Sequence, residues 1–384
     1  MESNHLTYLE DSLPSHWYYD EDFFKKEVTN IWGNHWIYVC HKSRIKENRA
    51  FVTIKVANQN ILVLRDSKGS LKAYFNTCRH RGSILCDQET GVVDSKLLRC
   101  PYHQWAYSVD TGGLISVASF SKNPEGFDKS KFSLFKVAVE EWRGFIFINL
   151  NENALWNPNE IFQRPPHAFN NFPVEDMVCG HVWEKIIDSN WKSFWENFNE
   201  CLHCPNIHPE LTDLVPMFSN RVINPKDLPT WIEKTKDSDP KYSGGLRSGA
   251  ETWSNDGSAQ DCQISTLTEE DFLKGHVYAS SWPSMFLGGY ADHVRAVRVT
   301  PVSSEKVKIT AEWLFEKDTI NNKNYDITNV VSFACTVMEQ DAYACELNQK
   351  GLHSIPYSNG VLMPEEYVIK NFHDWLKNEM GENV

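Results

Sequence analysis

Two short loops, Cys78-Arg79-His80 and Cys100-Pro101-Tyr102-His103, stand nineteen residues apart in the stretch NTCRHRGSILCDQETGVVDSKLLRCPYHQW, Asn76 to Trp105. Each loop carries one thiolate and one imidazole. Such a donor set suits a tetrahedral zinc, or a two-iron cluster with the cysteines on one iron and the histidines on the other. Zinc loops generally pair like ligands, two cysteines in one loop and two histidines in the next. Here each loop supplies one of each, as it must when each has to reach both irons, so the two-iron reading is favoured. Cys86, within the same stretch, reads as a structural thiol.

The order C-x-H-R-G followed by C-P-Y-H-x-W, with Arg81, Gly82, Pro101 and Trp105 in place, resembles the Rieske domain of Rieske non-haem iron oxygenases. The resemblance implies a [2Fe-2S] cluster on Cys78, His80, Cys100 and His103. Such a cluster passes electrons singly, and its domain accounts for only the first part of the chain. Something further along must receive them.

A second stretch, NFNECLHCPNIHPEL, offers a receiver. The aromatic residues Trp191, Phe194, Trp195 and Phe198 just before and within it fall at helical spacing, which predicts a helix with one buried face ending near Pro205. Glu200 and His203, three residues apart, would share a face of that helix. His208 would point away on an ideal helix, unless breaks at Pro205 and Pro209 swing it back. Two histidines plus a carboxylate make the facial triad of a non-haem Fe(II) oxygenase, whose open positions admit O2 and substrate. Cys201, His203, Cys204 and His208 would equally suit a zinc knuckle, or be ordinary polar residues at a helix end.

The pattern N-x-x-E-C-x-H-C-x-x-x-H-P looks like the mononuclear-iron segment of Rieske oxygenases, particularly the branch acting on quaternary ammonium compounds, in which the two cysteines are not ligands. The resemblance implies His203 and His208 as iron ligands and a third ligand far downstream. EQDAYACELNQKGL resembles the family's C-terminal helix there, with Asp341 at the ligand position; Glu339 and Glu346 are rivals, and a solvated acidic face is the alternative. It also implies a homotrimer in which Glu200 bridges His103 of one subunit to His203 of the next, carrying electrons between them.

The texture of the chain changes near residue 150. Before it, FVTIKV, NILVLR, LKAYFN and GFIFINL are separated by turns such as DSKG and DTGG, the mark of a small all-β domain. Beyond it the texture is mixed. KVKITAEWLF alternates as a half-buried strand, NVVSFACTVMEQDAYACELNQKGLH is helical, and the polar segment from Trp231 to Asp261 reads as loop. The expected architecture is α+β: an N-terminal segment, residues 1–42, packing on the catalytic domain; a Rieske domain, 43–155; and, by resemblance, a helix-grip (START-like) catalytic domain, 156–384, with mononuclear iron.

With 384 residues, 41% of them hydrophobic and 13% aromatic, the chain has enough apolar surface for one large core or two medium ones. A formal charge of −13 argues against a nucleic-acid partner. The acidic start MESNHLTYLEDSLPSHW has no apolar run, and no stretch is long enough to span a membrane, so a cytoplasmic protein is expected. Ten cysteines then read as metal ligands and buried thiols rather than a disulfide framework.

Electrons should start on NAD(P)H and arrive through a separate flavin and iron-sulfur reductase or a ferredoxin, because no G-x-G-x-x-G stands in a strand-turn-helix frame. The implied activity is O2-dependent hydroxylation of a small molecule, at an N-methyl or alkyl group of a quaternary ammonium compound. An arene dioxygenase is the second reading, and a Rieske electron carrier without oxygenase chemistry the third. Trp253, Tyr278, Trp282, Phe286 and Tyr290, lying between the two halves of the iron motif, are candidates for a cation-π cage, although core filling accounts for any one of them.

Overall fold

The computed structural model describes residues 5–119, 121–163, 166–223 and 245–382. Contacts separate it into two compact units, residues 32–161 on one hand, and residues up to 31 with those from 162 onward on the other. Of the polar segment expected as loop, residues 231–244 lie outside the described residues, and 245–261 form neither helix nor strand.

The unit of residues 32–161 has antiparallel sheets, with short helical turns such as Lys42–Ile45 and Lys129–Phe132 between strands. Its strands are β1 (Ile37–His41), β2 (Ala50–Val56), β3 (Gln59–Arg65), β4 (Leu71–Phe75), β5 (Thr90–Val92), β6 (Leu97–Arg99), β7 (Ala106–Ser108), β8 (Leu114–Ser116), β9 (Ala138–Trp142) and β10 (Phe145–Asn149). They form sheets in the orders β4-β3-β2-β5, β6-β7-β8 and β9-β10-β1. The turn residues act by identifiable means. Asp66 accepts backbone N–H bonds from Lys68 and Ser70 at 2.8 and 2.9 Å, closing the β3–β4 hairpin as an Asx turn. Gly112, at φ +72°, lies so close to the Tyr74 ring that a Cβ there would come within 2.5 Å of it. Phe51, Leu62, Leu64, Tyr74, Leu98 and Tyr107 make a core that also buries Cys78 and Cys100.

In the other unit, β11 (Val178–Ile187), β12 (Val277–Ser281), β13 (Met285–Gly289), β14 (Val294–Ser303) and β15 (Lys306–Phe315) form one antiparallel sheet in the order β11-β15-β14-β13-β12. Its helices include α1 (Glu21–Glu27), α2 (Trp191–Phe198), α3 (Cys204–Ile207), α4 (Pro209–Leu214), α5 (Ile327–Leu352) and α6 (Tyr367–Glu379). The long helix α5 packs against β11 and α2. Its buried stripe, Val330, Ala334, Val337, Met338, Asp341, Cys345, Gln349 and Leu352, follows the 3.6-residue period, and one member is a carboxylate.

Two sequence expectations change. The α2 helix, capped by the Asn190 side chain accepting from Lys192 N at 2.9 Å, ends at Phe198 rather than near Pro205, so Glu200 and His203 share no helix face. Strand β15 is buried at every residue from Ile309 to Phe315, not on alternate residues, because it lies inside the sheet between β11 and β14. Among the described residues no helix is long and apolar enough to cross a membrane.

A buried ion pair ties α1 to α2. Lys192 Nζ donates to Glu27 Oε1 at 2.5 Å, Trp191 Nε1 donates to Glu27 Oε2 at 2.9 Å, and neither charged side chain has any exposure. Removing one partner leaves an uncompensated buried charge. Glu27→Gln is therefore expected to destabilise this unit by about 3–5 kcal/mol, and the double substitution Glu27→Leu, Lys192→Met by much less, both read from the midpoint of denaturant unfolding.

Candidate metal centres

Cys78 and His80 lie in the loop that follows β4, and Cys100 and His103 in the turn between β6 and β7. Each loop folds back on itself. Cys78 N donates to Ser83 O at 2.8 Å and Gly82 N to Cys78 O at 3.0 Å; in the partner loop Cys100 N donates to Trp105 O and Gln104 N to Cys100 O, at 2.8 and 3.0 Å. The first loop is also held by Asn76, 2% exposed, whose Oδ1 accepts from Leu85 N and Cys86 N while Nδ2 donates to Cys86 O.

The four donors are graded in depth. Both cysteines are buried in the core, whereas His80 is exposed and His103 half-buried, their ring centroids 4.7 Å apart. Trp105 stacks on His80 at 4.8 Å and 12°. This gradation fits a two-iron cluster with its cysteine iron in the protein and its histidine iron at the surface. Partial loss of hydration and the nearby charges of His103 and Arg81 lower the His80 pKa, favouring the neutral imidazole that a metal binds. Burial pushes the Cys78 thiol up, while at Cys100 the backbone N–H groups of His103 and Tyr102 outweigh burial and favour the thiolate. Tyr107, unnoticed in the sequence, places its hydroxyl 3.2 Å from Cys78 Sγ and accepts from Arg79 N at 3.0 Å.

The second cluster draws on three separate pieces of chain. His203 lies in the turn between α2 and α3, His208 at the junction of α3 and α4, and Asp341 in the middle of α5. Pro205 lies in the first turn of α3 rather than ending a helix; the break falls at His208, before Pro209, and turns that imidazole inward. The donor atoms of the three side chains lie within 4.8 Å of one another, close enough to hold one metal ion.

Each ring is anchored through Nδ1 with Nε2 left facing the carboxylate. His208 Nδ1 donates to Gln340 Oε1 at 2.8 Å and its Nε2 stands 2.8 Å from Asp341 Oδ1. His203 Nδ1 donates to Glu200, with Nε2 3.5 Å from the same Oδ1. Glu200 is held in turn by the backbone N–H of Leu202. Asn197 Nδ2 donates to Asp341 Oδ1 at 2.7 Å. Outer partners that orient ligating rings and carboxylates in this way are typical of a metal site. Burial alone would raise the Asp341 pKa, but the hydrogen bonds and charges of His203 and His208 hold it well below the usual carboxylate range. Against the opposing effect of burial, Asp341 and Glu200 raise His203 to about 9.

The rivals are turned elsewhere: Glu339 pairs with Lys185, and Glu346 accepts from Asp188 N at 3.5 Å. Cys201 and Cys204, expected as free thiols, are instead joined in a disulfide, because the turn after α2 brings their Cα atoms to 5.0 Å.

A cavity of about 70 Å³ opens beside the three donors, several times the ~10–15 Å³ that one water needs. Phe198, Phe218, Trp253 and Tyr278 form much of its wall, with Arg295 and Met338. Of the five aromatics singled out in the sequence, Trp253 and Tyr278 line it. Trp282 packs on Phe372 and Trp375, Phe286 supports Phe198 and Tyr278, and Tyr290 contacts Trp253 and Arg295. Arg295 is far from the motif along the chain, and Phe218, ten residues past His208, carries no local pattern that marks it.

Residues 174–382 match the family described as ring hydroxylating alpha subunit (catalytic domain). The chain belongs to that family. Residues 35–127 match the Rieske [2Fe-2S] domain, so the protein is a Rieske non-haem iron oxygenase whose cofactors are a [2Fe-2S] cluster and a mononuclear iron. It is 27% identical to the glycine betaine monooxygenase oxygenase subunit of Pseudomonas aeruginosa, over 97% of this chain and 90% of that one. With the chloroplastic choline monooxygenase of Beta vulgaris it shares 27% identity over 96% of this chain and 77% of the other. The solved quaternary ammonium Rieske monooxygenase CntA with L-carnitine superposes with a TM-score of 0.72 at 21% identity, covering 97% of this chain and 96% of that one. Inter-subunit electron transfer is described for CntA.

The Tyr107 contact generates a prediction. A hydrogen bond to a cluster sulfur favours the more negative, reduced state, so Tyr107→Phe is expected to lower the cluster's reduction potential while leaving its visible spectrum in place. Spectroelectrochemical titration of the purified protein measures this.

Proposed function

We propose that this oxygenase hydroxylates an N-methyl group of a small quaternary ammonium compound. The observation that carries the reading is the cavity beside His203, His208 and Asp341, walled by Phe198, Phe218, Trp253 and Tyr278. A trimethylammonium group neither donates nor accepts hydrogen bonds, and aromatic faces hold it through cation-π attraction, about 0.5–2 kcal/mol per ring. The names of the betaine and choline relatives support the same substrate class.

In this reading Cys78, His80, Cys100 and His103 hold the cluster within a Rieske domain of about residues 43–155, and His203, His208 and Asp341 hold the iron in a catalytic domain of 156–384. The cluster supplies single electrons and the iron a centre for activating O2. The protein's own residues do the rest. Glu200 and Gln340 orient the two imidazoles, Asn197 steadies Asp341, and the aromatic wall keeps water from the N-methyl carbon. Glu200 further accepts a hydrogen bond from His103 of a neighbouring subunit in a homotrimer. Electrons come from NAD(P)H through a separate reductase or ferredoxin, in the cytoplasm.

Hydroxylation uses O2, two electrons and two protons and gives a carbinolamine and water; the carbinolamine then splits into formaldehyde and the demethylated amine. Incubated with a reductase, NAD(P)H and O2, the protein is expected to release formaldehyde with glycine betaine, carnitine or choline. Coupled turnover confined to arenes would replace this reading with ring dioxygenation.

Asp341→Ala is expected to abolish the mononuclear iron and all product while leaving the Rieske spectrum, and Glu339→Ala to leave both intact, as read by iron analysis and visible absorption. Loss of the Rieske chromophore in folded Asp341→Ala protein would refute the ligand assignment. For Glu200→Gln the expectation is retention of both metals with slower electron transfer between them, followed by stopped-flow oxidation of the pre-reduced cluster. An active monomer at every concentration, by light scattering, would exclude the inter-subunit bridge.

A further inference from the structure

Among the described residues Arg295 is a buried cation without an ion-pair partner. It lies in β14, is 3% exposed, and lines the cavity beside His203, His208 and Asp341. The antiparallel register sets Tyr278 opposite Gly288, Gly288 opposite Arg295 and Arg295 opposite Trp313, so these residues share the sheet face on which the cavity lies. Arg295 Nη2 donates to Tyr290 Oη at 3.1 Å. Gly288 makes this contact possible, since a Cβ there would meet the Tyr290 hydroxyl at 2.7 Å.

The guanidinium carbon Cζ of Arg295 also lies 5.8 Å from the centre of the Tyr290 ring. Among the described residues Nε and Nη1 have no hydrogen-bond partner, and the indole N–H of Trp253, on the same cavity wall, is also unpartnered. An arginine keeps its charge at every accessible pH, and a buried charge without a counter-ion is costly. Of the two carboxylates in the cavity lining, Asp341 is already committed to His203, His208 and Asn197, and Glu200 to His203 and the Leu202 N–H. Nε and Nη1 lie on different edges of the guanidinium, and either can donate a charge-assisted hydrogen bond to a carboxylate.

We propose that Arg295 binds the carboxylate of the substrate, so that the enzyme selects zwitterions, molecules with a quaternary ammonium at one end and a carboxylate at the other, over simple cations such as choline. This rests on the quaternary-ammonium reading and narrows it. The aromatic wall holds the methylated nitrogen, and the carboxylate pairs with the guanidinium of Arg295 in the cavity lining. A cation lacking the carboxylate leaves Arg295 unpaired and adds its own positive charge to the same cavity.

Titration calorimetry on the iron-loaded holoenzyme, with glycine betaine, betaine methyl ester, choline and benzoate, tests this together with steady-state turnover. The wild type is expected to bind glycine betaine more tightly than the methyl ester or choline. Arg295→Gln should cut the betaine-to-choline preference on the order of 10- to 100-fold, in KM rather than kcat, the loss expected for a charge-assisted hydrogen bond. Arg295→Lys should restore part of it. An equal loss for both ligands, or none, would mean a structural role and overturn the proposal, as would wild-type protein that binds choline as tightly as betaine or binds none of the four. Should Arg295→Gln fail to fold, the wild-type comparison of betaine with its methyl ester decides, because esterification removes the anion without touching the protein. The two readings fail separately. Arg295-dependent binding of benzoate alone would end the ammonium reading and keep the carboxylate contact; turnover of choline in preference to betaine would do the reverse.

Discussion

A carboxylate on the apolar stripe of a buried helix constrains the catalytic unit more than any other single group. Asp341 occupies a position of α5 whose neighbours one turn either way, Val337 and Cys345, pack in the core. An ionised group there is tolerable only with hydrogen-bond donors around it. The fold meets the demand by bringing His208, His203 and Asn197 to it from the segment after β11. The break at His208 and the turn after Phe198 are the local geometry this convergence requires, and it leaves two imidazole Nε2 atoms and a carboxylate oxygen turned to one point.

The β unit solves a different problem by simpler means. Its four candidate donors sit on two short loops between strands, and the strands fix how deep each one lies. Cys78 and Cys100 point into the core beside Leu98 and Tyr107, and the histidines stay near solvent. Because each loop closes through its own backbone hydrogen bonds, the arrangement needs little from distant sequence. An electron carrier works best with one edge of its cofactor close to the surface, and the depth of the four donors suits that use.

The cavity combines surfaces that are awkward separately. Four aromatic rings favour a soft cation, whereas Arg295 rejects one unless an anion comes with it. Both sets of side chains are fixed by the sheet: Tyr278 and Arg295 by cross-strand register, Phe198 by the end of α2 against Phe286. The walls of the cavity therefore belong to the same unit that brings His203, His208 and Asp341 together, not to the loops alone.

Short-range chemistry was legible in the sequence. Two mixed Cys/His loops announce a cluster, the alternation of FVTIKV and NILVLR a β domain, and the 3.6-residue period a long helix through Asp341, because each depends on residues a few places apart. Spacing misled where a turn intervened: Glu200 and His203 looked like neighbours on a helix, yet α2 stops at Phe198 and a backbone N–H bond to Glu200 brings them together. The Cys201–Cys204 disulfide was hidden for the same reason, since composition speaks to a compartment and not to one turn. Tertiary structure alone decided that Arg295, in a strand ninety-two residues past His203, lines the cavity with two nitrogens that have no partner among the described residues. Its side-chain direction follows from strand register and its lack of a partner from packing on every side, and neither is encoded within the reach of a local pattern.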